Sequence, residues 1–374
     1  MTSFPDDPSA PVGGVEAVSV NLVEALAEFA DLDIHVITAR RTLTSPRIER
    51  WARGDIHRLP WAGGSTLRNA VGPGRRQMQE YLRKIKPDVI HAHDTYGLMV
   101  KGMAVPRVFT IHGFIHRDTL VSGSRFAALR SWIWRRVETS GWADHPHIIS
   151  ISPYVRERLR GIATGVIHDI DNPISESFFG IDRKEHKGTI FSAAAVTPLK
   201  NTLALVDAAA ELAANGHNVE LRLAGSLDDK GYVQRVRERI EQKGLEKHIR
   251  LLGKIDTEQI RKELSAAAVF SLASVQENSP MGIEEAMAAG VPVVTSNRCG
   301  MPYMVRDGES GFLVDPNNPD DIARRLKQLL ENDELRRSMG AKGREIALDR
   351  FHPAKVAART RDVYLRAIHD FQQE

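Results

Sequence analysis

The chain has 374 residues, 42% of them hydrophobic and 26% charged, a length that predicts two domains and a composition ordinary for globular protein. A single cysteine, Cys299, excludes an internal disulfide, and without eighteen consecutive apolar residues no membrane-spanning helix is expected. The opening Met1–Asp7 has neither the basic nor the apolar region of a secretory signal, so the expected location is cytoplasmic. The net charge of +3 hides an asymmetry: nineteen Lys/Arg stand against six Asp/Glu between Arg40 and Arg136. Such a basic half suits an anionic partner, or is a solvated surface.

Taken in chain order, short apolar runs alternate with longer amphipathic ones, the pattern of parallel strands joined by helices. A helix is predicted over Val15–Ala30, a strand over Asp33–Thr38, a helix over Arg75–Ile85 and strands over Val89–His93 and Arg107–His112. Thr42–Ser65 and His116–Ser124 read as loops, followed by a helix over Arg125–Ser140 and a strand over His147–Ile151. The pattern breaks from Asn172 to Gly188, where a proline and the charged run Asp182–Lys187 predict an interdomain linker and hinge. Strands then fall at Thr189–Ala194, Val219–Gly225, Ile249–Gly253, Val269–Ala273 and Val293–Ser296. Between them lie helices at Thr202–Asn215, Tyr232–Lys243, Asp256–Ala267 and Pro280–Ala289, and a break at Pro353 precedes an amphipathic tail helix. Domains over 1–175 and 176–353 are expected, with helix 354–374 crossing back onto the first. Two doubly wound α/β domains place ligands at the carboxyl ends of their strands, so the expected site is the cleft between them.

The most informative stretch is Ser274–Val294. A strand ends near Ala273 and a helix opens near Pro280, a residue favoured at a first helical position. The backbone N–H groups from Asn278 through Ser279 and Met281 to Gly282 are then donors at a positive helix end, an anion site by construction. Glu277 precedes the helix and Glu285 lies inside it. One carboxylate can hold sugar hydroxyls and the other both ribose hydroxyls. Lys200 stands just before the helix Thr202–Asn215, a disfavoured place for a cation unless a phosphate lies between them.

Glu277 and Glu285, with seven residues between them, resemble the signature of family 4 of the glycosyltransferases, retaining enzymes of GT-B fold. Asp307–Val314, Gly13-Gly14-Val15-Glu16, Lys86–His93 and Thr110–Gly113 are similar to further parts of that family's pattern. The resemblance implies an α/β GT-B fold and a metal-independent hexosyltransferase. Its substrate would be a nucleotide sugar, UDP-sugar favoured and GDP-sugar possible, and its acceptor a sugar, polysaccharide or lipid-linked sugar. It implies that Glu277 and His112 serve catalysis at the transferred sugar and that Glu285 binds ribose. Gly13, Gly14, Lys200, Asn278, Ser279, Met281 and Gly282 would bind the diphosphate. No cofactor, metal or nucleic-acid partner is expected. The alternatives are a GT-B sugar-nucleotide isomerase or phosphorylase, and an inactive GT-B binding protein.

Two departures stand out. The family commonly has Gly-Arg shortly before the lysine, where this chain has Ala194 and Ala195, and of the usual first strand only Met1-Thr2-Ser3 remains. His91-Ala92-His93-Asp94 and His145-Pro146-His147 echo metal spacing but lack a third ligand cluster. In Arg125–Arg136, Phe126, Leu129 and Ile133 form an apolar stripe beside Arg125, Arg130, Arg135 and Arg136, with Trp132 and Trp134 suited to an interface. This composition fits either a helix lying on an anionic bilayer, which would make the protein peripheral on the inner face of the plasma membrane, or a core-packed helix with solvated arginines.

Overall fold

The computed structural model describes residues 1–121 and 125–373, without the side chain of Val121. The chain divides into two compact units, Met1–Pro173 with Pro353–Glu374, and Ile174–His352.

Unit 1 runs α1 (Gly14–Leu26), β1 (Ile34–Arg40), β2 (Arg47–Trp51), β3 (Gly54–Pro60), α2 (Thr66–Val71), α3 (Pro73–Ile85), β4 (Ile90–His93), α4 (Thr95–Met99), β5 (Arg107–Ile111), α5 (Ile115–Val121), α6 (Ala127–Trp142), β6 (His147–Ser150), α7 (Pro153–Leu159) and β7 (Val166–Asp169). Its strands form two sheets, ordered β1-β3-β2 and β4-β5-β6-β7. Met1 and Thr2 stand between them. Thr2 N–H donates to Ile37 O on β1 (3.2 Å), and His93 N–H on β4 donates to Met1 O (2.9 Å). The Met1 ammonium donates to His91 O at 2.6 Å, and burial pulls its pKa down to about 5. Beside them a cavity of about 160 Å³ is lined by Leu26, Ile34, Ile37, Ile90 and other residues. The C-terminal helix Pro353–Gln373 buries Val356, Ala357, Val363, Tyr364 and Ala367 against Leu22, Leu26, Val108 and Ile149.

Unit 2 runs β8 (Thr189–Ala193), α8 (Thr202–Ala214), β9 (Glu220–Ala224), α9 (Lys230–Gln242), β10 (Ile249–Gly253), α10 (Thr257–Ala266), β11 (Val269–Leu272), α11 (Met281–Ala288), β12 (Val293–Ser296), β13 (Gly311–Val314), α12 (Pro319–Glu331) and α13 (Asp333–Arg350). Its six strands form one parallel sheet, ordered β10-β9-β8-β11-β12-β13. Apolar clusters fill this unit: one gathers Leu205, Leu212, Val236 and Leu326, the other Phe191, Phe270, Ile283 and Phe351. From β8 the chain winds outward to β10, and from β11 it winds the opposite way to β13. The adjacent pair β8 and β11 is therefore the topological switch point, where the loops leaving the two strands diverge and open a crevice.

Three expectations change. Thr42–Ser65, read as a loop, contains β2 and β3. Polar residues hide them: Arg58 on β3 is buried because Glu49 takes its Nε at 3.0 Å and Pro5 O its Nη2 at 2.9 Å. Within 116–124, also read as a loop, residues through Val121 belong to α5, and 122–124 lie outside the described residues. The run Asp182–Lys187 is not a solvated linker. Glu185 Oε1 pairs with the buried Arg336 at 2.6 Å, and Arg183 donates to Leu264 O and Ala267 O, so this stretch is strapped to unit 2.

Candidate functional site

The switch point brings the two loops that carry the sequence motif into contact. Leaving β8, the chain makes a 3₁₀ turn over Pro198–Lys200 and enters α8 through Asn201, which adopts a left-handed conformation. Leaving β11, it passes Ala273 to Pro280 and enters α11 at Met281, with Pro280 at the N-cap. Val275 N–H donates to Leu199 O at 2.9 Å, tying the two loops together. Across this tie the Lys200 ammonium bonds to Glu277 Oε1. Both side chains remain partly open, 22% and 16% exposed, so an incoming ligand can reach the pair.

Lys200 thus has a partner that the sequence alone left unassigned: the offset to its unfavourable place before α8 is the Glu277 carboxylate. A diphosphate arriving there would compete with Glu277 for the ammonium. Lys200→Ala is therefore expected to weaken binding of a nucleoside diphosphate at least tenfold and that of the nucleoside little, read by calorimetric titration of each. It is also expected to lower rather than raise the melting temperature of the empty protein, because Glu277 loses its cation. Equal losses for nucleoside and diphosphate would contradict the assignment.

The amino end of α11 sits over the same crevice. Met281 and Gly282 occupy its first turn, where amides have no intrahelical acceptor. Ser279 Oγ donates to Glu284 Oε1 at 2.6 Å, and Glu284 is fully buried, which fixes the loop conformation around Asn278 and Ser279. The loop after β12 braces the motif from the other side: Gly300 N–H donates to Glu277 O at 2.8 Å. A Cβ at Gly300 would stand 1.8 Å from Asn278 O, so only glycine fits this approach. Sequence reasoning missed Gly300. Its only signal is a glycine after a strand, which the motif itself does not contain.

Glu285 lies one helical turn further along α11 and is partly buried. Desolvation pushes its carboxyl up to about 8, and among the described residues no hydrogen bond engages it. A desolvated carboxyl without a partner can accept hydrogen bonds from a ligand. Next to Glu277 the cation in contact is Lys200.

In unit 1, Gly13 is the N-cap of α1, and a Cβ built on it meets nothing within 4 Å. The protein's own packing does not demand glycine at this position, so the bare backbone leaves room for a ligand beside the first turn, which Gly14 opens. His112 follows β5. Its N–H donates to Asp94 Oδ1 at 2.9 Å, and its Nε2 faces His93 Nδ1 at 2.8 Å. Burial lowers the His112 pKa, so the ring is neutral at pH 7. His91 Nδ1 pairs with Tyr364 Oη and its Nε2 with Thr110 Oγ1, both at 2.7 Å.

On α6 the expected apolar stripe is split. Ser131, Trp134 and Glu138, spaced i, i+3 and i+7, form the buried face. Glu138 accepts from the N–H groups of Ile115 and His116 and from His116 Nδ1, which is why a carboxylate sits inside. Trp134 is therefore core, not interface, a correction to the sequence reading, whereas Phe126, Leu129 and Trp132 are 68%, 57% and 54% exposed. The guanidinium of Arg136 lies 4.5 Å from the Trp132 ring centre.

With this geometry in place, comparison with known proteins is consistent at every level. Residues 173–346 match the family described as Glycosyl transferases group 1, and residues 12–178 match Glycosyltransferase Family 4. An uncharacterized glycosyltransferase of Methanocaldococcus jannaschii is 25% identical over 94% of both chains. The MMP alpha-(1->4)-mannosyltransferase of Mycolicibacterium hassiacum is 27% identical over 75% of this chain and 71% of its own. Among solved structures, sucrose-phosphate synthase of Thermosynechococcus elongatus superposes with a TM-score of 0.84 at 21% identity, covering 98% of each chain. Anabaena HepE, solved with UDP and glucose, superposes with a TM-score of 0.73 at 16% identity, covering 97% of this chain and 98% of its own. These neighbours are GT-B enzymes, and the fold of this chain is GT-B.

Proposed function

Because the chain belongs to the GT4-type glycosyltransferase family, we propose that it is a retaining hexosyltransferase that moves a sugar from a nucleoside diphosphate sugar, UDP-sugar favoured, without a metal ion. The observation that carries this reading is the meeting of Lys200, Glu277 and the amino end of α11 at one switch point. HepE's complexes with UDP and UDP-glucose support the choice of base.

In this reading the Lys200 ammonium and the first-turn amides of Met281 and Gly282 take the diphosphate, and Glu285 accepts from the ribose hydroxyls. Released from Lys200, Glu277 accepts from hydroxyls of the sugar. For unit 1, the family resemblance proposes neutral His112 as a hydrogen-bonding group for a sugar, and Gly13 and Gly14 as bare backbone open to a phosphate. The bond between the anomeric carbon and the β-phosphate oxygen breaks. The acceptor hydroxyl forms its bond on the same face and passes its proton to the leaving phosphate. Catalysis is then positioning plus stabilisation of the leaving charge.

The acceptor is proposed to lie at an anionic membrane surface. No helix among the described residues is long and apolar enough to cross a membrane. Phe126, Leu129 and Trp132 nonetheless stand exposed beside Arg125, Arg130, Arg135 and Arg136, an arrangement suited to the interface of an anionic bilayer. The protein is expected to float with vesicles containing anionic lipid, to leave neutral vesicles unbound, and to be released by high salt. Trp132→Ala with Leu129→Ala should abolish flotation. In EDTA, transfer of labelled sugar from a UDP-sugar should persist. Absence of flotation with both vesicle types would move the acceptor to a soluble sugar or polysaccharide and leave the donor site untouched.

A further inference from the structure

A second cluster of ligating side chains lies in unit 1, near the amino ends of β1 and β3. Parallel pairing sets His35 opposite Asp55 and Ile37 opposite His57. Because alternate residues of a strand share a face, His35, Asp55 and His57 project to the same side. His35 Nδ1 and His57 Nε2 face each other at 2.9 Å. One ligand atom from each of these three residues falls within 4.8 Å of the others, and no other three His, Cys, Asp or Glu residues among those described are so grouped.

The outward atoms of the cluster are already held. His35 Nε2 lies 3.5 Å from Asp33 Oδ2, and His57 Nδ1 lies 2.9 Å from Tyr81 Oη on α3. Asp55 Oδ1 is held by Arg50 at 3.0 Å. Each imidazole therefore has one nitrogen anchored by an oxygen and the other turned inward, the arrangement that fixes tautomer and ring direction in metal-ligating histidines. As a hydrogen-bonded pair the two rings share a single proton, and one inward nitrogen must give up its lone pair to it. A cation between them uses both lone pairs. Tetrahedral coordination with bonds of about 2.0–2.1 Å separates ligand atoms by roughly 3.3 Å, so small ring rotations suffice.

We propose that His35 Nδ1, His57 Nε2 and a carboxylate oxygen of Asp55 form a Zn²⁺ site that clasps β1 to the β2–β3 hairpin. Two imidazoles and one carboxylate suit Zn²⁺ and disfavour Mg²⁺ and Ca²⁺, which take oxygen ligands. His35 and Asp55 keep side-chain exposures of 31% and 29%, so an ion can enter and a water can complete the shell. The site is structural. It lies near the amino ends of its strands, whereas His112 follows the carboxyl end of β5.

The test is titration of the tag-free full chain, stripped with EDTA and dialysed, with Zn²⁺ alone, followed by calorimetry and by melting temperature. One equivalent is expected to bind and raise the melting temperature, and Mg²⁺ is expected to do neither. His35→Asn and Asp55→Asn, at partly exposed positions that should not disturb folding, should each weaken binding at least tenfold. Tyr81→Phe should weaken it by about tenfold through loss of the outer partner alone. Failure of the wild type to bind Zn²⁺, or binding that survives His35→Asn unchanged, would overturn the site. Neither result bears on the sugar donor, whose residues are not in the cluster.

Discussion

Glu277→Ala is expected to lower sugar transfer by about 10²–10³-fold, the usual cost of removing one positioned polar group from a transition state. In the empty protein Glu277 is bound to Lys200, so its loss frees the ammonium for phosphate. Affinity for free UDP should therefore hold or rise, while the preference for UDP-sugar over UDP disappears. This split separates a group that reads the sugar from one that only holds the loop. The loop itself retains its ties from Val275 to Leu199 and from Gly300 to the backbone carbonyl of residue 277. Transfer at the wild-type rate would remove Glu277 from the site. A matched loss of UDP and UDP-sugar binding would mean that the substitution collapsed the crevice.

The second large effect belongs to Glu285. Its carboxyl titrates at about 8 against an ordinary 4.5, because burial disfavours the charged form. Between those values the folded protein holds a proton that the unfolded chain has released. Stability therefore falls as pH rises through that window, and ionisation above pH 8 is costly. Glu285→Gln removes the titration, so the variant should be more stable than wild type at pH 9, by on the order of 2–4 kcal/mol. It should be nearly equal to wild type at pH 4. Two charged hydrogen bonds to ribose are worth about 1.5–3 kcal/mol each, so Glu285→Ala should weaken nucleotide binding at least tenfold. Because ribose hydroxyls favour the carboxylate, wild-type affinity should rise between pH 7 and 9, and that rise should vanish in the variant. A pH-independent affinity in the wild type would contradict the ribose assignment.

Much of unit 2 was legible because its strands are short, β-branched or apolar-rich runs bounded by turns, as Val269–Leu272 and Val293–Ser296 show, each buried at every position. The start of α11 was legible from Pro280 and the two glutamates. What the sequence could not show is that Lys200 and Glu277 meet. They lie 77 residues apart, and only the order of the sheet makes their strands neighbours. Beyond Val314 the sequence carries further helix signals before the tail. Asn318 caps α12 through the Asp321 amide, and Ile322, Leu326 and Leu329 mark its buried face, signals of the same kind as those used upstream.

Unit 1 was harder for a physical reason. Several of its buried positions are polar: Arg58, His57, Glu138 and His147 lie inside because specific partners satisfy them. Polar residues at core positions erase the periodicity on which strand and helix assignment depends, which concealed β3 and put Ser131 and Glu138 beside Trp134 on the buried face of α6. Two residues, Met1 and Thr2, bridge β1 and β4, and the sheet of unit 1 is divided at that point.

The proposed donor site is the crevice at the β8–β11 switch point, which would hold a nucleoside diphosphate sugar. Calorimetric titration of UDP and UDP-glucose into the wild-type protein and Glu285→Ala, in EDTA at pH 8, tests it most directly. Both ligands are expected to bind the wild type saturably and one-to-one, and the variant at least tenfold more weakly. Binding of equal strength to both proteins, or none to the wild type by these or the corresponding GDP ligands, would contradict it.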